Sequence, residues 1–98
     1  MNEQVTVVAR IRAKPGLEGR VRGELYKLLA PTRAEAGCIN YDMHESPVDP
    51  RDFLFYENWT SAEHLDAHLK SPHIKAWFDL AAQLLEANVD IARWRIVH

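Results

Sequence analysis

Only one cysteine, Cys38, occurs in the 98 residues, so the chain makes no internal disulfide and no cysteine-based zinc site. A reducing, cytoplasmic setting is the expectation. Long apolar runs are missing as well. None approaches the roughly 20 residues that span a bilayer, and Met1 to Ala13 alternate apolar with polar positions instead of forming the apolar stretch of a signal peptide. Neither sign of charge dominates: 12 Lys and Arg stand against 14 Asp and Glu, a net charge of −2. That removes the electrostatic basis for binding nucleic acid or anionic lipid, so neither is expected as a partner. Glycine is scarce, and Gly16, Gly19 and Gly23 match neither the P-loop nor the dinucleotide fingerprint. No repeat, linker or low-complexity stretch divides the chain, so one domain over residues 1–98 is expected. A domain this small hides only about 60–65% of the surface that its unfolded form exposes, which favours association with a second copy.

The apolar residues carry clear periods. Val5, Val7, Ala9 and Ile11 alternate with Thr6, Val8, Arg10 and Arg12, a strand that Lys14-Pro15-Gly16 ends. Leu17, Val21, Leu25, Leu28 and Leu29 then follow helical spacing, with a break or kink expected at Ala30-Pro31 and a last turn closing at Gly37. Cys38 to Glu45 reads as a second strand with Ile39, Tyr41 and Met43 on one side. The turn around Pro47 and Pro50 joins it to a third, Phe53 to Trp59. Thr60 and Glu63 have the spacing of a capping box for a short helix marked by Ala62, Leu65 and Leu69, and Ser71-Pro72 opens another. Val89, Ile91, Trp94, Ile96 and Val97 make the last strand. Strand, helix, strand, strand, broken helix, strand is the split βαβ order of a ferredoxin-like α+β fold: a four-stranded antiparallel sheet with helices on one face. Both faces of the strands are substantially apolar, through Val8, Leu54, Tyr56 and Trp94 as well as the core positions. A homodimer with sheets packed face to face is therefore expected.

Candidate functional residues are few. His64 and His68 lie four apart on a helix, but there is no HExxH pattern and no neighbouring cysteine, so no metal site is expected. His68 borders the Leu65/Leu69 stripe, while His44, His64 and His98 are expected toward solvent. A half-buried histidine bonded to a backbone carbonyl is the plain alternative to a catalytic one. Trp59 and Trp77 are the expected walls of any cavity for a planar ligand. Glu57 shares the face of Phe55 and Trp59, where an ion pair with an arginine is the expected way to hold its charge.

Tyr56-Glu57-Asn58-Trp59-Thr60-Ser61, then Leu65, His68 and Ser71-Pro72-His73, preceded by Glu35-Ala36-Gly37-Cys38 and Lys14-Pro15-Gly16, resembles the antibiotic biosynthesis monooxygenase family, in particular its small quinol-monooxygenase-like members. The resemblance covers nearly the whole chain. It implies a dimeric ferredoxin-like α/β barrel that oxidises a quinol, phenol or polyketide-like aromatic with O2, using no metal, haem or flavin cofactor. On that resemblance His68 is the expected catalytic base and Trp59, Trp77, Phe78, Tyr56, Asn58 and His73 are candidate substrate-binding residues, with Tyr56 and Asn58 sharing the strand face opposite Trp59. The same framework includes haem-degrading enzymes. Their first-strand asparagine, short-helix tryptophan and ligating histidine correspond here to Val8 or Ala9, His68 and Phe78, which disfavours that activity. A cofactor-free isomerase and a non-catalytic dimeric binding protein stand as the alternatives.

Overall fold

Val7, Ala9 and Ile11 are buried while Arg10 between them is exposed, so the alternation in the first strand translates directly into one core face. The computed structural model describes residues 3–98; residues 1 and 2, which begin the alternating stretch, lie outside the described residues. The elements run β1 (Val5–Arg12), α1 (Glu18–Tyr26), α2 (Leu29–Arg33), β2 (Cys38–Glu45), β3 (Asp52–Trp59), α3 (Ala62–Leu69), α4 (Pro72–Leu84) and β4 (Asp90–Arg95). The strands form one antiparallel sheet in the order β2-β3-β1-β4, the ferredoxin-like arrangement. The helical layer packs on the face of Val7, Phe55 and Trp59, and Val21, Leu25, Leu65 and Trp77 complete the core from the helices.

Four local expectations are corrected. The first helix breaks at Lys27-Leu28, ahead of Ala30-Pro31, where the Leu28 amide bonds the Leu25 carbonyl in a tightened last turn. Pro31 instead sits in the first turn of α2, where an amide proton has no intrahelical acceptor to lose. In β2 the register shifts between Cys38 and Asn40. This bulge expels Ile39, which is exposed, and turns Cys38 to the core in its place. The cap of α3 is Ser61, whose Oγ accepts from the His64 amide, one residue after the expected Thr60. Finally, β4 ends at Arg95, leaving Ile96 and Val97 exposed beyond it.

Nothing among the described residues covers the far face of the sheet. Val8, Leu54, Tyr56 and Trp94 share it, and Trp94 is 61% exposed. No helix among the described residues is long and apolar enough to cross a membrane.

Candidate active site

The site begins at a turn. Gly37 takes φ +81° between α2 and β2, a conformation that disfavours any residue with a Cβ, and a Cβ there would also collide with the ring of His64. The missing side chain lets α3 close on this turn, and the Thr60 amide bonds the Gly37 carbonyl at 2.9 Å. One helical turn after His64 comes His68, and two residues before Gly37 comes Glu35. The clamp brings them together: His68 Nδ1 lies 2.7 Å from Glu35 Oε2.

His73, in the first turn of α4, places Nε2 at 3.0 Å from the same oxygen and 3.0 Å from Thr32 Oγ1. Ser71 holds the α3–α4 junction, donating from Oγ to the His68 carbonyl at 2.7 Å. His68 is 3% exposed, so the carboxylate, and not a backbone carbonyl, satisfies it. Its ring lies 4.6 Å from that of Trp59 and meets Tyr41 edge-on at 5.5 Å. Burial pushes the His68 pKa down, and the hydrogen bond and charge of Glu35 offset part of that.

Tautomerism follows from the partner. An ionised carboxylate only accepts, so His68 Nδ1 carries the proton and the neutral ring keeps its lone pair on Nε2. No hydrogen bond from the described residues engages Nε2. The side chain lines a cavity of about 40 Å³ under the helical layer, together with Tyr41, Glu57, Trp77 and Phe78. That volume holds one or two waters and not an aromatic ring. Two lining residues, Phe78 and Ile91, are each 38% exposed and form its outer wall beside the edge strand β4.

Glu57 carries the second unusual charge. It stands on central strand β3 between Val7 of β1 and Tyr41 of β2, 4% exposed. The expected arginine partner is absent among the described residues. Trp59 Nε1 donates to Glu57 Oε1 at 2.9 Å instead, because the strand places both side chains on one face with no cation in reach. Burial raises the Glu57 pKa to about 7, with the Trp59 hydrogen bond opposing and the charge of Glu35 adding. Burial likewise holds the Tyr41 hydroxyl above the ordinary tyrosine range.

The structure therefore gathers His68, His73, Trp59, Trp77 and Phe78 on one side of the sheet. Tyr56 and Asn58 are not brought there. They face the opposite side, where Asn58 Oδ1 accepts from Gln4 and Thr6 and its amide nitrogen donates to Asn40. Glu35 is the residue that sequence reasoning missed. Its signal was its place in the Glu35-Ala36-Gly37-Cys38 run, beside a glycine turn.

Glu35, His68 and His73 could also hold a metal ion, since their ligand atoms all lie within 4.8 Å of one another. Both histidine nitrogens already meet one carboxylate oxygen, so the cluster is satisfied as a hydrogen-bonded unit. A larger open groove, about 780 Å³, crosses the turn end of the sheet past Arg10, Arg12 and His44. Arg12 is committed there to Asp49, Asp52 and Glu86, which leaves no convergent reactive group.

Comparison with known proteins agrees with this fold. A sequence profile of the family described as antibiotic biosynthesis monooxygenase matches residues 4–80. Mycobacterium tuberculosis "Putative monooxygenase Rv0793" is 34% identical over 93% of this chain and 89% of its own. Escherichia coli "Probable quinol monooxygenase YgiN" is 32% identical over 89% of this chain and 94% of its own. The crystal structure of PA3566 from Pseudomonas aeruginosa is 34% identical and superposes with a TM-score of 0.93, covering 100% of this chain and 98% of that one. The chain spans 65% of the length of a Synechocystis relative, sll1783, with which it shares 26% identity.

Proposed function

The chain belongs to the antibiotic biosynthesis monooxygenase family, and from that membership we propose that it oxidises a small electron-rich aromatic with O2, His68 serving as the base. The substrate class is a quinol, phenol or polyketide-like hydroxyarene. Ground-state O2 is a triplet and reacts slowly with closed-shell molecules, so a protein working without metal, haem or flavin must make the substrate itself a strong reductant. Removing a phenolic proton does this. The observation that carries the reading is the state of His68: Nδ1–H anchored on Glu35, a free lone pair on Nε2, and aromatic walls around it. Trp77 and Phe78 line the cavity that receives the ring, Trp59 backs the base, and His73 holds Glu35 in place. Entry of a ring requires the outer wall at Phe78 and Ile91 to swing aside, because the closed cavity holds only water.

The uncovered sheet face supports a homodimer as the working unit. Val8, Leu54, Tyr56 and Trp94 form an apolar surface on it. The lone thiol of Cys38, half-buried and with its pKa raised by burial, suits a reducing cytoplasm.

Oxygen uptake against a panel of quinols and hydroxylated aromatics, with 18O2 as a tracer, tests the reading. One labelled oxygen in the product and one in water is the expected result. Proton exchange into a bound substrate without oxygen uptake would place the chain among the isomerases instead, and binding without either would make it a non-catalytic carrier.

A further inference from the structure

Glu57 is a carboxyl group in the middle of an apolar sheet face, flanked by Val7, Tyr41, Phe55 and Trp59, with no cation to balance it. The base already described has no need of it. A buried carboxyl without such a partner costs stability and so calls for a reason. Its contacts divide its two oxygens: Oε1 accepts from Trp59 Nε1, and Oε2 has no partner among the described residues. The side chain lines the same small cavity as His68. We propose that Glu57 is the general acid of the oxygenation, giving its proton to the oxygen that leaves as water.

This role rests on the functional reading above and completes its chemistry. His68 Nε2 takes the phenolic proton, and the ring carbanion form of the phenolate delivers its electrons to O2, so that a C–O bond forms and leaves a peroxide on the ring. The protonated His68 returns its proton to that peroxide. His68 then removes the hydrogen from the same ring carbon, whose electron pair closes a carbonyl as the O–O bond breaks. The departing hydroxide takes the Glu57 proton and leaves as water, and the proton on His68 passes back to the Glu57 carboxylate. In sum, a phenol and O2 give a quinone and water, with one oxygen atom in each. The step needs a proton donor at the far oxygen, because hydroxide is a poor leaving group until it is protonated.

The surroundings of Glu57 support a protonated state near neutral pH. Titratable groups facing the site are Tyr41 and Cys38 from β2, His68 from α3 and Glu35 from the turn before β2; β1 contributes Val7, Ala9 and Ile11, and α4 contributes Ile74, Trp77 and Phe78. Arg93 of β4, beyond Val7, is paired with Asp66. No facing cation pulls the proton off, and the Glu35 charge helps to keep it on.

The test is the pH profile of oxygen uptake in wild type, Glu57→Gln and Trp59→Phe. Wild type is expected to lose kcat on the alkaline side, around the Glu57 pKa of about 7. Glu57→Gln, which keeps the shape and removes the proton, should lower kcat about 10²-fold and abolish that alkaline limb. Trp59→Phe removes the hydrogen bond that lowers the Glu57 pKa, so its limb should move to higher pH. Unchanged kcat in Glu57→Gln, or a reduced kcat with the alkaline limb intact, would overturn the role of Glu57 and leave the oxygenase reading standing. Absence of oxygen uptake by wild type with every aromatic in the panel would overturn both.

Discussion

His68 and Glu35 are 33 residues apart, on different elements, and meet at 2.7 Å through Nδ1 and Oε2. One contact sets two properties of the histidine. It assigns the proton to Nδ1, so that Nε2 is the basic nitrogen, and it restores some of the basicity that burial removes. Glu35 acts on substrate only through His68 and is a positioning residue.

Glu35→Gln keeps an oxygen that can accept from Nδ1 and removes the negative charge. Because that charge raises the His68 pKa, its loss lets burial lower the pKa further. The acid limb of the rate profile should move to lower pH, and kcat should fall about tenfold or more as the base weakens. Steady-state rates in buffers from pH 5 to 8 check both. An acid limb that stays in place would separate Glu35 from the function of His68.

Stability should carry the mark of Glu57. Its folded pKa of about 7 lies above the ordinary 4.5, so the folded state holds the proton more tightly than the unfolded chain. The stabilisation from that proton is complete below the unfolded value and is lost as pH rises through about 7. His68 works in the other direction: its depressed pKa gives stability that is present above about 6.5 and lost as pH falls. Comparing Glu57→Gln with wild type at each pH cancels the His68 contribution. Urea titrations should find the two alike near pH 4 and the variant more stable at pH 8 by about 2 to 4 kcal/mol. A wild type as stable as the variant at pH 8 would mean that the Glu57 charge is compensated by a partner.

The periodic features of the fold were legible in the sequence because alternation and helical spacing are local. The core faces of β1 and β3, the order of the elements along the chain and the place of His68 at the border of the Leu65 stripe all follow from such spacing. The bulge at Ile39 was not legible, since a register shift depends on the partner strand. Glu35 escaped for a related reason: its role depends on the Gly37 turn seating against His64, which joins two stretches far apart in sequence. For Glu57 the face was readable and the partner was not. Trp59 two residues on supplies an indole N–H where an arginine was expected.

The exposed sheet face predicts association. Sedimentation at micromolar concentration should give a dimer, and Trp94→Glu, which places a charge on that face, should give a monomer with its helical signal retained. A monomeric wild type would contradict face-to-face packing.

Metal dependence has a direct check. The cluster of Glu35, His68 and His73 is satisfied by its own hydrogen bonds, so oxygen uptake should survive dialysis against a strong chelator. Activity lost on chelation and regained with one added divalent ion would reassign these three residues as its ligands.

Oxygen consumption by His68→Gln tests the central claim most directly. Loss of a general base typically lowers the rate by about 10²- to 10⁴-fold. With a hydroxylated aromatic that wild type oxidises, the account predicts a fall in kcat of that size, with the fold intact by circular dichroism. In wild type it also predicts an acid limb that lies below the ordinary histidine value, since burial lowers the His68 pKa. A His68→Gln variant that consumes oxygen at the wild-type rate, with the same pH profile, would contradict it and leave His68 a packed histidine on a carboxylate.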